Sequence, residues 1–146
     1  MRVTVLGCGT SSGVPMIGCG CAVCRSPDPR NKRRRCSILI EALDQVILVD
    51  SGPDMRMQLL DADVRRIDAM IYTHAHADHV HGIDDFRALN NAMNRSIPAY
   101  GEAGVLDHIR GRFTYAFQQS RTEHGYWRPP LDPRPFHGPF ALGPVG

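Results

Sequence analysis

Tyr72-Thr73-His74-Ala75-His76-Ala77-Asp78-His79-Val80-His81-Gly82 decides the reading of this chain, because it sets four potential metal ligands within the six positions from His74 to His79. The run before it, Ile67-Asp68-Ala69-Met70-Ile71-Tyr72, reads as a buried strand that stops at Thr73 and delivers the next residues into a loop at the sheet's edge. His74 and His76 are two apart in extended backbone, so both imidazoles point the same way and can grip one ion. Asp78 and His79 follow a turn and lead into a helical pattern from Ile83 to Asn94, where they can face a second ion. Imidazole and carboxylate donors suit Zn, Mn, Fe or Ni, and spacing does not choose among them. Loop histidines are often only solvated. Four ligand types in this order favour metal binding at His74, His76, Asp78 and His79, with His81 read as lying outside the set.

Working outward, Val3 to Gly7 is a short apolar strand, and Gly7-Cys8-Gly9-Thr10-Ser11-Ser12-Gly13 is a glycine-rich turn that lacks the lysine of a phosphate-binding P-loop. Next, Gly18-Cys19-Gly20-Cys21-Ala22-Val23-Cys24 places three thiols at Cys-x-Cys-x-x-Cys spacing, within a loop at 18–25. A closed structural zinc site wants four protein ligands, so Cys19, Cys21 and Cys24 need one more from elsewhere. Disulfides and a redox role compete with that reading. The five cysteines are odd in number, however, and the chain shows no secretory signal, which fits a reducing cytoplasm better. Cys8 and Cys36, in or beside predicted strands, read as small buried apolar residues.

The string His-x-His-x-Asp-His, reached from a strand and followed by Gly82, resembles the signature of the metallo-β-lactamase-fold hydrolases. Ile47-Leu48-Val49-Asp50-Ser51-Gly52 also matches that family, in which the aspartate ending such a strand braces the metal histidines from behind. By spacing alone Asp50 is equally a turn or helix-capping residue. Adding Cys19, Cys21 and Cys24 and the approach Arg33-Arg34-Arg35-Cys36-Ser37, the chain looks like the branch typified by phosphoribosyl 1,2-cyclic phosphate phosphodiesterase. The resemblance runs through nearly the whole chain and is loose after Tyr100. It implies an α/β (α+β) fold, the metallo-β-lactamase-like αββα sandwich, with residues 1–146 forming one partial domain that covers about the first half. It also implies two divalent ions, Zn or Mn, held by His74 and His76 and by Asp78 and His79, with Asp50 orienting them and one structural zinc on the cysteine loop. Asp78 is the carboxylate assigned to the catalytic centre, as a ligand in preference to a base. The family takes further ligands well downstream of the motif. His108, His124 and His137 read as surface or loop histidines, and the stretch from Phe140 to Gly146 reads like the start of a hairpin.

Composition constrains the rest. With 42% hydrophobic residues, a formal charge of +2 and no apolar run near the ~20 residues that cross a bilayer, the chain reads as globular and not membrane-bound. Arg30-Asn31-Lys32-Arg33-Arg34-Arg35 gathers five positive charges that could attract phosphate or nucleic acid, although such a run is more often a solvated face. Strands are expected at Val3 to Leu6, Ser37 to Glu41, Val46 to Asp50, Ala69 to Tyr72 and Ile97 to Tyr100. Helices are expected at Met55 to Val64, Ile83 to Met93 and Gly104 to Arg112, with Asp54 capping the first. Tyr115 to Pro139 reads as a long surface loop whose Phe117, Tyr126, Trp127 and Phe136 either stack on a ribose or base or pack on the domain. Half a β-sandwich would leave a large apolar face open.

The expected chemistry is hydrolysis of a small cyclic ribose phosphate or nucleotide-like phosphodiester by a water activated between two ions ~3.5 to 4 Å apart. A ribonuclease Z-like nuclease and a non-catalytic zinc-binding module are the alternatives. Nucleic acid is the less favoured partner, and a homodimer is one assembly left open.

Overall fold

The computed structural model describes residues 1–118 in full, the backbone of 120–122 and 125–127, and residues 130–143. In chain order its elements are β1 (Arg2–Gly7), α1 (Ala22–Arg25), β2 (Ser37–Ala42), β3 (Gln45–Val49), α2 (Met55–Asp61), β4 (Ala69–Ile71), α3 (Ala77–Val80), α4 (Phe86–Met93), β5 (Ile97–Gly101), α5 (Ala103–Arg112), α6 (Thr114–Phe117), β6 (Ser120–Thr122), β7 (Gly125–Trp127) and β8 (Leu131–Pro135). Six strands form one mixed sheet in the order β1-β2-β3-β4-β5-β8, and β6 pairs with β7 apart from it. The first three strands are antiparallel; β3, β4, β5 and β8 run parallel.

Local chemistry sets the element ends. The two-residue turn from β2 to β3 has Leu43 and Asp44 both at positive φ, 47° and 63°, the combination whose twist suits an antiparallel hairpin. Helix α2 stops three residues short of the expected Val64. Asp63 takes φ +50°, its N–H reaches Leu60 O at 3.1 Å and the Val64 N–H reaches Leu59 O at 3.0 Å, which together satisfy the last carbonyls. Asp54 precedes α2 but does not cap it. Its carboxylate instead takes the Arg35 N–H and Nη1, each at 2.9 Å, because the charged partner outcompetes the local one. The expected helix from Ile83 divides into a 3-10 turn at Ile83–Asp85 and then α4.

The sheet's helical face carries the main core. Leu39, Leu48, Met70 and Ala99 from the strands meet Met55 and Leu59 of α2, Phe86 of α4, and Leu106 and Ile109 of α5. Leu48, on a central strand, is wholly buried. Leu48→Ala is therefore expected to cost about 3 kcal/mol through lost transfer energy and an unfilled cavity, read as a lower urea midpoint at unchanged slope.

On the other face the pairing register aligns Val5, Ile38, Val49, Ile71 and Tyr100 across five strands. Phe140 stacks on Tyr100 at 5.1 Å between ring centroids, and Leu142 is buried against Ile47 and Ala69. The stretch expected to begin a hairpin thus packs on the sheet as far as it is described, 144–146 lying outside the described residues. Val3 and Val5 at the edge stay 51% and 63% exposed.

Two expectations need correction here. Tyr115 to Pro139 is not one surface loop: most of α6, the β6–β7 pair and β8 fall within it, and Leu131 is fully buried. Pro133 and Pro135 hid β8 from sequence reading, yet it is an edge strand, where a missing N–H costs no ladder bond on the open side. Cys8 and Cys36 are exposed, because the register shift after Val5 and the bend before β2 turn them away from both packed faces. Phe136 stacks on Phe140 at 4.4 Å and Phe117 packs at the core's margin. The side chains of Tyr126 and Trp127, and His124, lie outside the described residues. Among the described residues no helix is long and apolar enough to cross a membrane.

Candidate metal centre

Strands β3 and β4 are parallel, and the loops leaving their carboxyl ends converge, as is general for ligand sites in parallel sheets. Asp50 follows β3 at φ +60°, a left-handed conformation that a non-glycine residue keeps only where its surroundings hold it. Its N–H donates to Ile71 O at 2.9 Å, and its carbonyl accepts from Ser37 Oγ at 3.0 Å. Its buried carboxylate is fully engaged. Oδ1 accepts the Thr73 N–H at 2.9 Å, and Oδ2 accepts Thr73 Oγ1 at 2.6 Å and His79 Nδ1 at 2.7 Å.

These bonds dictate proton positions on both histidines. A carboxylate only accepts, so His79 Nδ1 carries a proton and Nε2 is the nitrogen left for another partner. Thr73 Oγ1 gives its proton to Asp50 and can only accept from His74 Nδ1, 3.0 Å away, which leaves His74 Nε2 free as well. His79 Nε2 lies 3.3 Å from Asp78 Oδ2. A bare lone pair there would repel the carboxylate, so a proton or a metal cation belongs between the two, and an imidazole nitrogen facing a carboxylate is a donor pair that fits a metal.

The ring of His74 stands 4.0 Å from that of His79 and 4.7 Å from that of His76, so Asp78, His79, His74 and His76 form one string. Asp50, His74 and His79 form a group whose ligand atoms all lie within 4.8 Å of one another; exposed His76 and half-buried Asp78 flank it. Burial disfavours charge on Asp78. The Ser11 hydroxyl, its own backbone N–H and the nearby His79 and His74 overcome that and hold its carboxyl below the ordinary value. His81 lies outside the string, edge-on to Phe113 at 5.6 Å, and His108 and His137 are exposed.

The two loops touch backbone to backbone. Ser51 N–H donates to His79 O at 2.7 Å and Gly82 N–H to Ser51 O at 2.8 Å. A β-carbon on Gly52 would fall 2.1 Å from Asp78 O, and one on Gly82 would fall 2.2 Å from Gly52 O. Both glycines are therefore required by contact. Below them the buried Tyr72 phenol meets Ser51 Oγ at 3.0 Å, and burial pushes its pKa up, keeping it neutral. On the outer side Arg112 Nη1 donates to Ala75 O at 2.6 Å, tying α5 to the histidine loop. Sequence reading missed Thr73 and Ser11; Thr73's place between strand end and first histidine was a signal, whereas Ser11 had none.

Cys19, Cys21 and Cys24 form a second group whose sulfurs lie within 4.8 Å of one another. Cys21 precedes α1 and its sulfur accepts the Cys24 N–H at 3.5 Å; Cys24 Sγ accepts the Met16 N–H at 3.4 Å. The Cys24 N–H, with hydrogen bonds from the Cys19 and Cys24 thiols, brings the Cys21 thiol down to about 7. For Cys19 the Cys21 N–H acts the same way, but the Cys21 and Cys24 sulfurs, burial and the Cys21 charge outweigh it and raise its pKa. Soft sulfur donors with a thiolate available near neutral pH fit zinc.

The sequence matches the Beta-lactamase superfamily domain over residues 45–145. It is 46% identical over 121 residues to an octanoyltransferase of Porphyromonas gingivalis, a match covering 82% of this chain and 24% of that protein. It is 37% identical over 85 residues to a ribonuclease Z of Bradyrhizobium diazoefficiens, 56% of this chain and 28% of that one. The fold superposes on the crystal structure of a new diphosphatase from the PhnP family with a TM-score of 0.80 and 37% identity, covering 92% of this chain and 50% of that chain. The chain thus spans about a quarter of these curated relatives and half of this solved structure. With its mixed α/β sheet and more than half its length matched, the chain belongs to the beta-lactamase superfamily.

Proposed function

We propose that the chain is part of a metal-dependent phosphodiesterase acting on a small cyclic ribose phosphate or nucleotide-like phosphodiester. The observation that carries this reading is the meeting of the His74 and His79 rings with the Asp78 carboxylate at the carboxyl ends of parallel strands. The 37% identity to a PhnP-family diphosphatase across 92% of the chain favours phosphate esters among substrates of the superfamily.

In this reading His74 and His76 hold one divalent ion and Asp78 and His79 the other, Zn or Mn. Bound there, the pair would polarise phosphoryl oxygens and lower the pKa of a coordinated water. Asp50 acts through its neighbours: it orients His79 directly and His74 by way of Thr73. Ser11 keeps the Asp78 carboxylate ionised and aimed. Cys19, Cys21 and Cys24 supply three ligands of a structural zinc in the 18–25 loop. Residues 1–146 then form one metallo-β-lactamase-like unit, and a cytoplasmic setting belongs to the same reading. The likeness to a ribonuclease Z favours, as a second reading, cleavage of RNA ends.

The test is hydrolysis of a chromogenic phosphodiester by manganese-reconstituted protein, beside chelated protein and a His76→Ala variant. Turnover is expected with metal, lost on chelation and lost in His76→Ala, whose far-ultraviolet circular dichroism stays that of the parent because His76 is exposed. Full activity in His76→Ala would refute the ligand assignment. Metal uptake without any turnover would favour a zinc-binding module.

A further inference from the structure

Residues 32–35 lie against the glycine-rich turn, and the contact is made by backbone. Gly9 N–H donates to Arg34 O at 2.6 Å, Val14 N–H to Arg33 O at 2.8 Å, and Arg33 N–H to Val14 O at 2.7 Å. A β-carbon on Gly7 would fall 2.0 Å from Arg35 O, and one on Gly9 would fall 2.6 Å from Arg33 O, so the glycines serve this approach. Between turn and basic run lies a groove of about 650 Å³, within the size range of small-ligand sites.

The four cations of the groove are not equivalent. Arg34 pairs with Asp61 at 2.7 Å; Arg35 pairs with Asp54 and donates through Nε to Ser11 O, each at 2.9 Å. The run is therefore anchored rather than simply solvated. Lys32 and Arg33 are exposed and make no side-chain hydrogen bond or ion pair among the described residues, so the groove holds two uncommitted positive charges. Its lining also includes Val5, Pro15 and Ile17, and Ile17 is 97% exposed.

Two free cations beside exposed apolar side chains match a ligand with at least two anionic groups on a flat, largely apolar body. The groove's Arg35 is connected to the metal centre through Ser11. Ser11 O accepts Arg35 Nε at 2.9 Å, and the Ser11 hydroxyl is close enough to Asp78 to hold that carboxyl's pKa down. We propose that this groove binds a nucleoside diphosphate moiety through Lys32 and Arg33, independently of the metals, and so holds the part of a nucleotide-like substrate beyond the bond that is cleaved. Only the last clause rests on the phosphodiester reading above.

Calorimetric titration of the protein as isolated with adenosine diphosphate, and separately with inorganic pyrophosphate, tests this, using a Lys32→Glu/Arg33→Glu variant for comparison. Adenosine diphosphate should bind several-fold more tightly than pyrophosphate, and about tenfold or more weakly in the double variant, because charge-assisted hydrogen bonds are lost. Both side chains are exposed, so the variant should keep its circular dichroism and its metal content. Unchanged affinity in the variant, absence of binding, or pyrophosphate binding as tightly as the nucleotide would each overturn the proposal. A protein that binds the nucleotide through these residues yet hydrolyses no phosphodiester would refute the catalytic reading and leave the groove standing.

Discussion

Asp50→Asn is expected to lower the affinity of the histidine site for zinc or manganese by about 10- to 100-fold, with turnover falling alongside. The carboxylate accepts three hydrogen bonds, two from Thr73 and one from His79. An amide has one oxygen for these donors and must direct its NH₂ group at another. Facing His79 Nδ1, it would drive the proton to Nε2 and remove the lone pair meant for metal. Asparagine tolerates the positive φ of 60°, so the fold should survive. Asp50→Ala loses the same bonds and adds backbone strain of about 1–2 kcal/mol. Competition with a chelating dye reads the affinity and thermal unfolding reads the stability. Wild-type metal affinity in the asparagine variant would show that Asp50 does not orient the ligands.

Gly82→Ala carries the second large expected effect, and its origin is steric. The new methyl would stand 2.2 Å from Gly52 O and 3.0 Å from Ser51 O, both backbone atoms that no rotamer change can clear. The loops would have to part, breaking the hydrogen bonds from Ser51 to His79 and from Gly82 to Ser51, and moving His79 away from Asp50. We expect a loss of about 3 kcal/mol or more in urea unfolding, together with loss of metal binding. Gly104→Ala is the control. That glycine lies in α5 with nothing within 4 Å of the added carbon, so the change should be neutral or slightly stabilising. A Gly82→Ala protein that melts with the parent would refute the close approach.

The apolar runs of β2, β3, β4 and β5 made the sheet legible because each strand carries its apolar character in local sequence. The histidine string was legible for a related reason: its ligand types lie within six consecutive positions, and their order alone suggests shared coordination. Less could be read where partners are remote. Nothing near Asp54 predicts that Arg35 will take its carboxylate from the end of α2, and nothing near Pro133 and Pro135 predicts a parallel partner in β5. The Cys8 and Cys36 expectation failed for the same reason, since closeness to a strand does not say which side of a register shift a residue faces.

By itself, then, the sequence determined the α/β class, the strands from β1 to β5, the residue types in the His74 to His79 string and the grouping of three thiols, all properties of residues close along the chain. Only the tertiary structure decided which of these meet. It put Asp50 at φ +60° under His79, ran Thr73 between Asp50 and His74, pressed Gly52 against Asp78, and left Lys32 and Arg33 free while Arg34 and Arg35 found acids on α2 and just before it. The physical reason is range: periodicity and spacing report a residue's own few neighbours, whereas a hydrogen bond between residues 29 positions apart, as for Asp50 and His79, exists only once strand order has brought two loops together.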